Sequence, residues 1–238
     1  LFDLKKLNNI KKSYSKSTVQ SWVKSQTLPI TVFDKLNFSK TNLYYKVSKN
    51  SRGVSLKLNL TKEFLTFIGM WFADGCYDKN SVIISMFEKE ELDVLKKVAK
   101  QFNCNLKKHS DGFSYMLNSK DLKNIMQNVL GLKGTSYTKK MPNFIFNLST
   151  KQINYVLKGI FSGDGCISKN EILLSMCSRS LINEIQTLLL YSGIISRLSA
   201  IREKDKTYAL RISALKFQKI YAKEVGILSK KKREKLFT

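Results

Sequence analysis

The chain has 238 residues, and its composition excludes several classes of protein before any motif is considered. Hydrophobic residues make up 43% of it and aromatic residues 11%, which is enough to build a buried core. A total of 42 Lys and Arg against 18 Asp and Glu gives a formal net charge of +24. Such an excess repels itself in a compact fold unless a polyanion neutralises it, so nucleic acid is the first partner to consider. We expect no membrane partner, because the longest apolar run, residues 64–73, is too short to span a bilayer and the basic residues are spread along the chain.

Residues 1–54 differ in pattern from the rest and are predicted to form a mainly helical extension with a basic linker. The sequence predicts a capped helix over residues 17–24, a second helix over residues 32–36 and a polar, basic linker over residues 39–53. The helix pair around Trp22 is either a helix-turn-helix that contacts DNA or a small cap packed on the core. The sequence leaves both alternatives open.

Cysteine and histidine usage argues against several kinds of site. The four cysteines (Cys76, Cys104, Cys166 and Cys177) show no CxxC spacing, and His109 is the only histidine. This pattern argues against a zinc site and against a disulfide framework. A single histidine also argues against Ser-His-Asp, Cys-His and histidine–metal nuclease chemistry, since each of these needs an imidazole at the right place.

The most informative pattern is an internal duplication. When the sequence is shifted by 90 residues against itself, eight identities fall in a short window. They pair Gly69, Asp74, Gly75, Cys76, Lys79, Asn80, Ser85 and Met86 with Gly159, Asp164, Gly165, Cys166, Lys169, Asn170, Ser175 and Met176. Apolar character matches where identity fails, as for residues 82–84 and 172–174. We therefore predict two copies of one unit, over residues 55–146 and 147–238.

Each unit has the same predicted order of elements, namely helix, two strands, helix, two strands and helix. The β-branched runs at residues 82–87 and 172–177 predict strands, and Gly75 and Gly165 are the glycines expected just past a helix end. The later helices of the two units are predicted over residues 90–102, 120–130, 180–192 and 215–225. The predicted fold class is α+β, with two pseudo-symmetric α-β-β-α-β-β-α repeats behind an N-terminal, mainly helical extension.

The first helix of each unit carries a stripe of small residues. Gly69 and Ala73 lie four residues apart, as do Gly159 and Gly163, so each helix has one smooth face. Two such faces allow two helix backbones to approach closely. We expect the first helices of the two units to pack directly against each other.

Each of these helices also ends in an aspartate, Asp74 or Asp164. The C-terminal end of the helix dipole is already negative, and two carboxylates brought together repel each other. Stability alone therefore does not explain the two acids. A bound divalent cation does, because hard oxygen ligands at the junction of two helix ends suit Mg²⁺.

Residues 67–75 (FIGMWFADG) and 157–165 (LKGIFSGDG) resemble the two motifs of a single-chain LAGLIDADG homing endonuclease. Residues 174–197 and 226–232 resemble the archaeal and intein-associated branch of that family, and the likeness covers residues 55–238. The resemblance implies a monomer in which two antiparallel sheets form a DNA-binding saddle. It also implies that the enzyme serves intron or intein mobility.

The resemblance further implies a metal site. In the family the last aspartate of each motif binds the catalytic metals, so Asp74 and Asp164 inherit that role. The backbone carbonyls of Ala73 and Gly163 are candidate further ligands. The implied cofactor is Mg²⁺, and Mn²⁺ is expected to substitute for it.

The family also uses basic residues near the centre to stabilise phosphate charge. Lys232 matches that place after the last helix of the second repeat. In the first repeat the candidate is Lys139 or Lys140, and we take Lys140 as the catalytic one. The sixth motif position, often Asp in the family, is Phe72 and Ser162 here; it is not the metal ligand, so the departure leaves the expected catalysis intact.

The predicted function is site-specific cleavage of both strands of DNA by metal-activated water. Because the two repeats have diverged, we expect a long double-stranded target that is not fully palindromic. An RNA-splicing maturase and a catalytically silent DNA-binding regulator of the same fold are the alternatives.

Overall fold

The computed structural model describes residues 13–25, 27–33, 43–48, 50–86, 88–168, 170–202 and 207–236. The chain forms two compact units, Leu1–Leu43 and Tyr44–Thr238. Among the described helices, none combines the length and the apolar composition that a bilayer crossing requires.

The first unit contains the predicted helix pair. Helix α1 spans Lys16–Ser25 and helix α2 spans Ile30–Phe33. Val19 of α1 and Val32 of α2 are buried together in a small apolar cluster. The second helix begins earlier than predicted, and residues 34–36 of its predicted span lie outside the described residues. DNA contact by this pair stays a prediction.

The second unit opens with two short antiparallel strands and then the first repeat. Strands β1 (Tyr44–Tyr45) and β2 (Val54–Ser55) pair with each other. The first repeat comprises α3 (Lys62–Asp74), β3 (Gly75–Tyr77), β4 (Ser81–Ser85), α4 (Lys89–Gln101), β5 (Asn105–Lys108), β6 (Ser114–Asn118) and α5 (Lys120–Asn124). A π-helical turn, Ile125–Val129, follows α5. The predicted helix over residues 120–130 therefore ends in a widened turn, with Leu130 N bonded to Ile125 O at 2.8 Å.

The second repeat has the same order of elements. After a short helix α6 (Asn143–Phe146) come α7 (Thr150–Gly163), β7 (Gly165–Ile167), β8 (Ile172–Met176), α8 (Arg179–Tyr191), β9 (Arg197–Arg202), β10 (Thr207–Ile212), α9 (Leu215–Glu224) and α10 (Lys230–Glu234). The middle helices α4 and α8 begin and end one residue before the spans predicted for them. The predicted α+β fold with two α-β-β-α-β-β-α repeats is confirmed.

The segment expected to be a linker is partly built into the second unit. Asp121 is 1% exposed, and its two carboxylate oxygens accept hydrogen bonds from the backbone N–H groups of Val47 (2.7 Å) and Gly53 (2.9 Å). A buried carboxylate bonded in this way fastens the β1–β2 hairpin to the first repeat. The second compact unit begins at Tyr44. The division of the chain after residues 54 and 146 stays a prediction.

Each repeat folds its strands into one four-stranded antiparallel sheet. The strand orders are β3-β4-β6-β5 and β7-β8-β10-β9. One face of each sheet packs on the core through Val82, Ile84 and Leu117 in the first repeat and Ile172, Leu174 and Leu210 in the second. Because side chains alternate along a strand, the opposite face of each sheet carries a row of paired residues that crosses all four strands. The rows are Cys76, Ile83, Met116 and Lys107 in the first sheet and Cys166, Leu173, Arg211 and Arg197 in the second.

Helices α3 and α7 pack backbone to backbone at their glycines. A Cβ built on Gly69 would lie 2.9 Å from the Cα of Gly159 and would collide with the Val156 carbonyl oxygen. A Cβ built on Gly159 would lie 2.9 Å from the Cα of Gly69 and would collide with the Thr66 carbonyl oxygen. The close contact predicted from the stripe of small residues is present.

The glycines after the two helices serve a different purpose from the helix-end glycine that the sequence predicted. Gly75 has φ −93° and ψ 144°, which is extended backbone and not the left-handed conformation typical of a helix C-terminus. A Cβ on Gly75 would lie 2.5 Å from the Cα of Trp71, and one on Gly165 would lie 2.9 Å from the Cα of Phe161. Both glycines are therefore required by space, because the strand turns back tightly over the end of its own helix.

Replacing Gly69 with leucine should lower the melting temperature, because the new side chain has no space between the helices. Overpacking typically costs ~1–3 kcal/mol, whereas on an exposed helix leucine would gain somewhat less than about 1 kcal/mol over glycine. The sign of the change, measured by thermal unfolding, therefore decides whether the helices meet at this residue. Lys151→Leu places a leucine on the exposed surface of α7 and should not lower the melting temperature. A Gly69→Leu protein as stable as the wild type would contradict the close contact.

Candidate active site

Two carboxylates meet where the paired helices end. Asp74 is the last residue of α3, and Asp164 is the C-cap residue of α7. The Asp74 Oδ2 atom would lie 2.6 Å from a Cβ built on Gly163, so the first carboxylate rests against the last residue of α7. Both aspartates are partly buried. The structure thus brings together the two acids that the sequence singled out.

A buried lysine covers the end of α3. The Lys139 side chain is 4% exposed, and its Nζ atom donates to the carbonyl oxygens of Trp71 (2.7 Å), Phe72 (3.1 Å) and Gly75 (2.8 Å). The carbonyls of a last helical turn have no partner within the helix, and a cation there also complements the helix dipole. Lys139 therefore stabilises the helix end and places a positive charge beside Asp74.

Lys232 occupies the corresponding place at the end of α7. Its Nζ atom donates to the carbonyl oxygens of Ser162 (2.9 Å) and Gly163 (3.3 Å). Ser162 is the duplicate of Phe72, whose carbonyl binds Lys139. Each motif helix therefore ends in the same arrangement, with one aspartate and one lysine bound to the terminal carbonyls.

The lysine brought to the site in the first repeat is Lys139 and not Lys140, the residue that the sequence analysis took as catalytic. Lys140 is exposed, whereas Lys139 and Met141 on either side of it are each 4% exposed. The segment is non-helical, and successive side chains in extended backbone point to opposite sides. The burial of Met141 therefore turns Lys139 inward and Lys140 outward.

The site concentrates charge in partly buried surroundings. Burial and the negative charge of Asp74 raise the pKa of Asp164 to about 7, against the opposing effect of Lys139 and Lys232. Burial also raises the pKa of Asp74, and burial lowers the pKa of Lys139 to about 8 despite the two nearby carboxylates. Clustered groups with shifted pKa values are typical of functional sites. Nearby cationic charge would favour the ionised form of both aspartates.

The donor set fits a hard divalent cation that keeps several water ligands. Among the described residues, no group of three or more His, Cys, Asp or Glu side chains has the geometry of a protein-only metal cage. Mg²⁺ is commonly held by one or two carboxylates together with substrate phosphates and water. Asp74 and Asp164 match that requirement. Of the two candidate backbone ligands, the Gly163 carbonyl accepts a hydrogen bond from Lys232, and Ala73 lines the adjacent cleft.

A cleft opens beside the first carboxylate. Its lining includes Ala73, Asp74 and Lys139, which the sequence analysis had considered. It also includes residues 134–136, which belong to none of the sequence motifs. Gly134 adopts φ 108°, a conformation that favours glycine, so the run Gly-Thr-Ser could have indicated a turn. The sequence of this run did not indicate that the turn would line the same cleft as Asp74.

Comparison with known proteins gives matches in both sequence and structure. Residues 151–226 match the family model of the LAGLIDADG-like domain. Over 210 residues, or 83% of the chain, the sequence is 31% identical to the glutamine–fructose-6-phosphate aminotransferase of Methanocaldococcus jannaschii, of which the match covers 19%. The chain spans about a fifth to a quarter of the length of the curated relatives it matches.

Two solved structures share the fold. A crystal structure of I-DmoI in complex with DNA and Mn aligns with a TM-score of 0.56 at 13% identity, covering 71% of this chain and 98% of that one. The crystal structure of full-length DUF199/WhiA from Thermatoga maritima aligns with a TM-score of 0.53 at 11% identity, covering 75% of this chain and 60% of that one. At such identities the likeness establishes the fold and not the chemistry.

Replacing Asp164 with asparagine should stabilise the metal-free protein at high pH. The raised pKa of about 7 lies above the value of about 3.9 for an unfolded aspartate, so the unfolded chain releases this proton first. Stability is therefore lost as the pH rises from about 4 to 7, and the loss is complete above that window. In EDTA the variant should melt higher than the wild type at pH 8, with a difference that shrinks toward pH 4. Asp93→Asn, at an exposed residue of α4, is the control; an Asp164→Asn protein that melts lower at pH 8 would contradict the assignment.

Proposed function

The chain belongs to the LAGLIDADG family, and we propose that it is a site-specific endonuclease that uses divalent metal ions to cut both strands of DNA. Because one fold can host different activities, the proposal depends on the site. The observation that carries it is the pair of aspartates, Asp74 and Asp164, which lie near each other at the ends of two helices that contact at glycine. A protein that only binds DNA has no need for two carboxylates that repel each other and repel phosphate.

The geometry of the two helix ends supports a proposed role for each of four side chains. Asp74 and Asp164 would hold Mg²⁺, with Mn²⁺ as a substitute, and the bound ions supply an activated water and stabilise charge at the phosphate. Lys139 and Lys232 each place an ammonium beside one carboxylate. A fixed positive charge of this kind stabilises the negative charge that develops on a phosphodiester during hydrolysis. We therefore propose that one carboxylate and one lysine serve each strand.

The DNA partner is supported by charge and by the exposed sheet faces. The formal net charge of +24 favours binding to a polyanion. Lys107, Arg197 and Arg211 lie on the outward rows of the two sheets. Alternating side chains on such rows would contact base edges in the major groove, while other basic residues bind phosphates. Since the two rows differ at nearly every position and both repeats lie in one chain, we propose a monomer with a long target that is not fully palindromic.

A DNA-binding protein without nuclease activity is the second candidate. It is favoured by the structural likeness to DUF199/WhiA, which covers 75% of this chain. The two candidates differ in a measurable way, because only the nuclease requires Asp74 and Asp164. The presence of both carboxylates and both lysines in one constellation favours the nuclease.

The sequence match also supports a mobile origin. The match of 210 residues covers only 19% of the relative, which is named as a glutamine–fructose-6-phosphate aminotransferase. A module found inside a protein of unrelated chemistry behaves as a portable insertion. We therefore propose that the endonuclease serves intron or intein mobility.

Cleavage of a randomised DNA library, followed by sequencing of the new ends, tests the proposed function. The wild type should cut one preferred sequence in Mg²⁺, should be stopped by EDTA, and should bind without cutting in Ca²⁺. Asp74→Asn and Asp164→Asn should each abolish double-strand cleavage while binding within about tenfold of the wild type, because each change removes a metal ligand but little contact area. Full-rate cutting by either variant would exclude the assigned site, and binding without cutting by the wild type would favour the second candidate.

Neighbouring lysines provide a matched pair of variants for the assignment in the first repeat. Lys139→Met should slow cleavage by on the order of 10²-fold, since removal of a preorganised charge-stabilising donor typically costs that much. Lys140→Met removes the same charge from an exposed residue and should change only binding, and then modestly. Single-turnover rates at saturating protein separate the two effects. Slow cleavage by Lys140→Met with normal cleavage by Lys139→Met would reverse the assignment.

A further inference from the structure

The segment that carries Lys139 is fastened to the opposite repeat. The Ser178 hydroxyl donates to the Lys139 carbonyl oxygen at 2.8 Å, and Met141 N donates to Glu184 Oε2 at 2.7 Å. Ser178 is 2% exposed and also accepts from Leu181 N at 3.2 Å, as the N-cap residue of α8. The first repeat's lysine therefore has its backbone bound to the second repeat, while its ammonium binds the end of α3 in its own repeat.

The segment that carries Lys232 is fastened in the same way. Ser229 is fully buried, and its hydroxyl donates to Glu88 Oε1 at 3.1 Å. Ser229 is also the N-cap residue of α10, where its Oγ accepts from Lys232 N at 3.3 Å. Glu88 immediately precedes α4 of the first repeat. The helix that carries Lys232 is thus bound to the first repeat, while its ammonium binds the end of α7 in the second.

The two links are equivalent by the internal symmetry. Glu88 and Ser178 are separated by 90 residues, the same spacing as the duplicated aspartates, and each precedes the middle helix of its repeat. The bond runs in opposite directions, since Ser178 donates to the lysine segment and Glu88 accepts from it. Both links therefore occupy the same place in the unit although their chemistry differs. Each link joins the segment that carries a lysine to the other repeat, which does not contain the motif helix that this lysine binds.

We propose that Ser178 and Glu88 are positioning residues, each of which holds the lysine of the opposite repeat beside the aspartate that this lysine serves. The inference rests on the proposed endonuclease function. Because a lysine tied at its backbone and at its ammonium has little freedom, its charge is fixed relative to the carboxylate before DNA binds. One consequence is specific: loss of one link disturbs one lysine, and hence the cut in one strand.

Strand-resolved cleavage tests this consequence. Ser178→Ala should slow the cut in one strand on the order of 10- to 100-fold, and Glu88→Ala should slow the cut in the other, with DNA binding unchanged within about threefold. The two variants should accumulate nicked intermediates that carry opposite strands intact. The strand affected by Ser178→Ala should be the one affected by Lys139→Met, and the strand affected by Glu88→Ala should match Lys232→Met.

Conservative and matched variants separate positioning from general stability. Ser178→Thr keeps a hydroxyl that can both donate and accept, and Glu88→Gln keeps an oxygen acceptor, so both should restore the normal strand balance. Ser119→Ala removes another serine N-cap, that of α5, whose Oγ accepts from Leu122 N at 3.1 Å in the same repeat. It should lower the melting temperature without favouring either strand. Equal slowing of both strands in Ser178→Ala and in Ser119→Ala would overturn the proposal.

A second measurement needs no cleavage. In the DNA-free protein, the ammonium protons of Lys139 should exchange slowly with water because three carbonyls bind them, so the ¹H–¹⁵N signal of this group should be observable. The signal that is lost in Lys139→Met is then the signal of Lys139. Ser178→Ala should shift or broaden this signal, whereas Ser119→Ala should leave it unchanged. If the wild type cuts no DNA but the signal responds, the endonuclease function fails and the positioning role stands. If DNA is cut but neither the signal nor the strand balance responds, the positioning role fails and the function stands.

Discussion

The direct contact between helix α3 and helix α7 is the constraint on which the rest of the structure depends. At Gly69 and Gly159 the two backbones approach so closely that a single added Cβ would collide with the opposite chain. Both helices end one turn beyond this contact, so their last residues are held next to each other. Any side chain at the contact would move the helices apart and would separate Asp74 from Asp164. The distance between the carboxylates is thus set by glycine, at a point remote from the chemistry.

The same contact explains why the site lowers the stability of the fold in the absence of a cation. Two carboxylates lie at helix ends whose dipoles disfavour negative charge, and burial raises the pKa of both. Lys139 and Lys232 offset part of this cost by binding the terminal carbonyls and lying near the acids. Enzymes commonly lose some stability at the active site, because charges that are preorganised for catalysis destabilise the fold. Structural stability is supplied elsewhere, by the two sheets and the core beneath them.

Local sequence patterns predicted the parts of this architecture that depend on periodicity and duplication. The repeats, the stripe of small residues and the two aspartates are all local signals repeated at a fixed spacing. The links made by Ser178 and Glu88 could not be predicted, because they join residues 39 and 141 positions apart. The choice between Lys139 and Lys140 could not be predicted either, because it depends on the burial of Met141 in the folded protein. Gly75 is required because a Cβ there would collide with Trp71, which the usual rule for glycine at a helix end does not describe.

Binding of Mn²⁺ to the DNA-free protein tests the central claim most directly, because it asks whether the paired aspartates form a metal site at all. Free Mn²⁺, followed by its electron paramagnetic resonance signal, should decrease on titration with the wild type. Asp74→Asn and Asp164→Asn should each weaken binding by about tenfold or more, since each removes one of two carboxylate ligands. Asp93→Asn, which removes an exposed carboxylate of α4, should bind as the wild type does. Equal Mn²⁺ affinity in all four proteins would contradict a metal site at the helix junction.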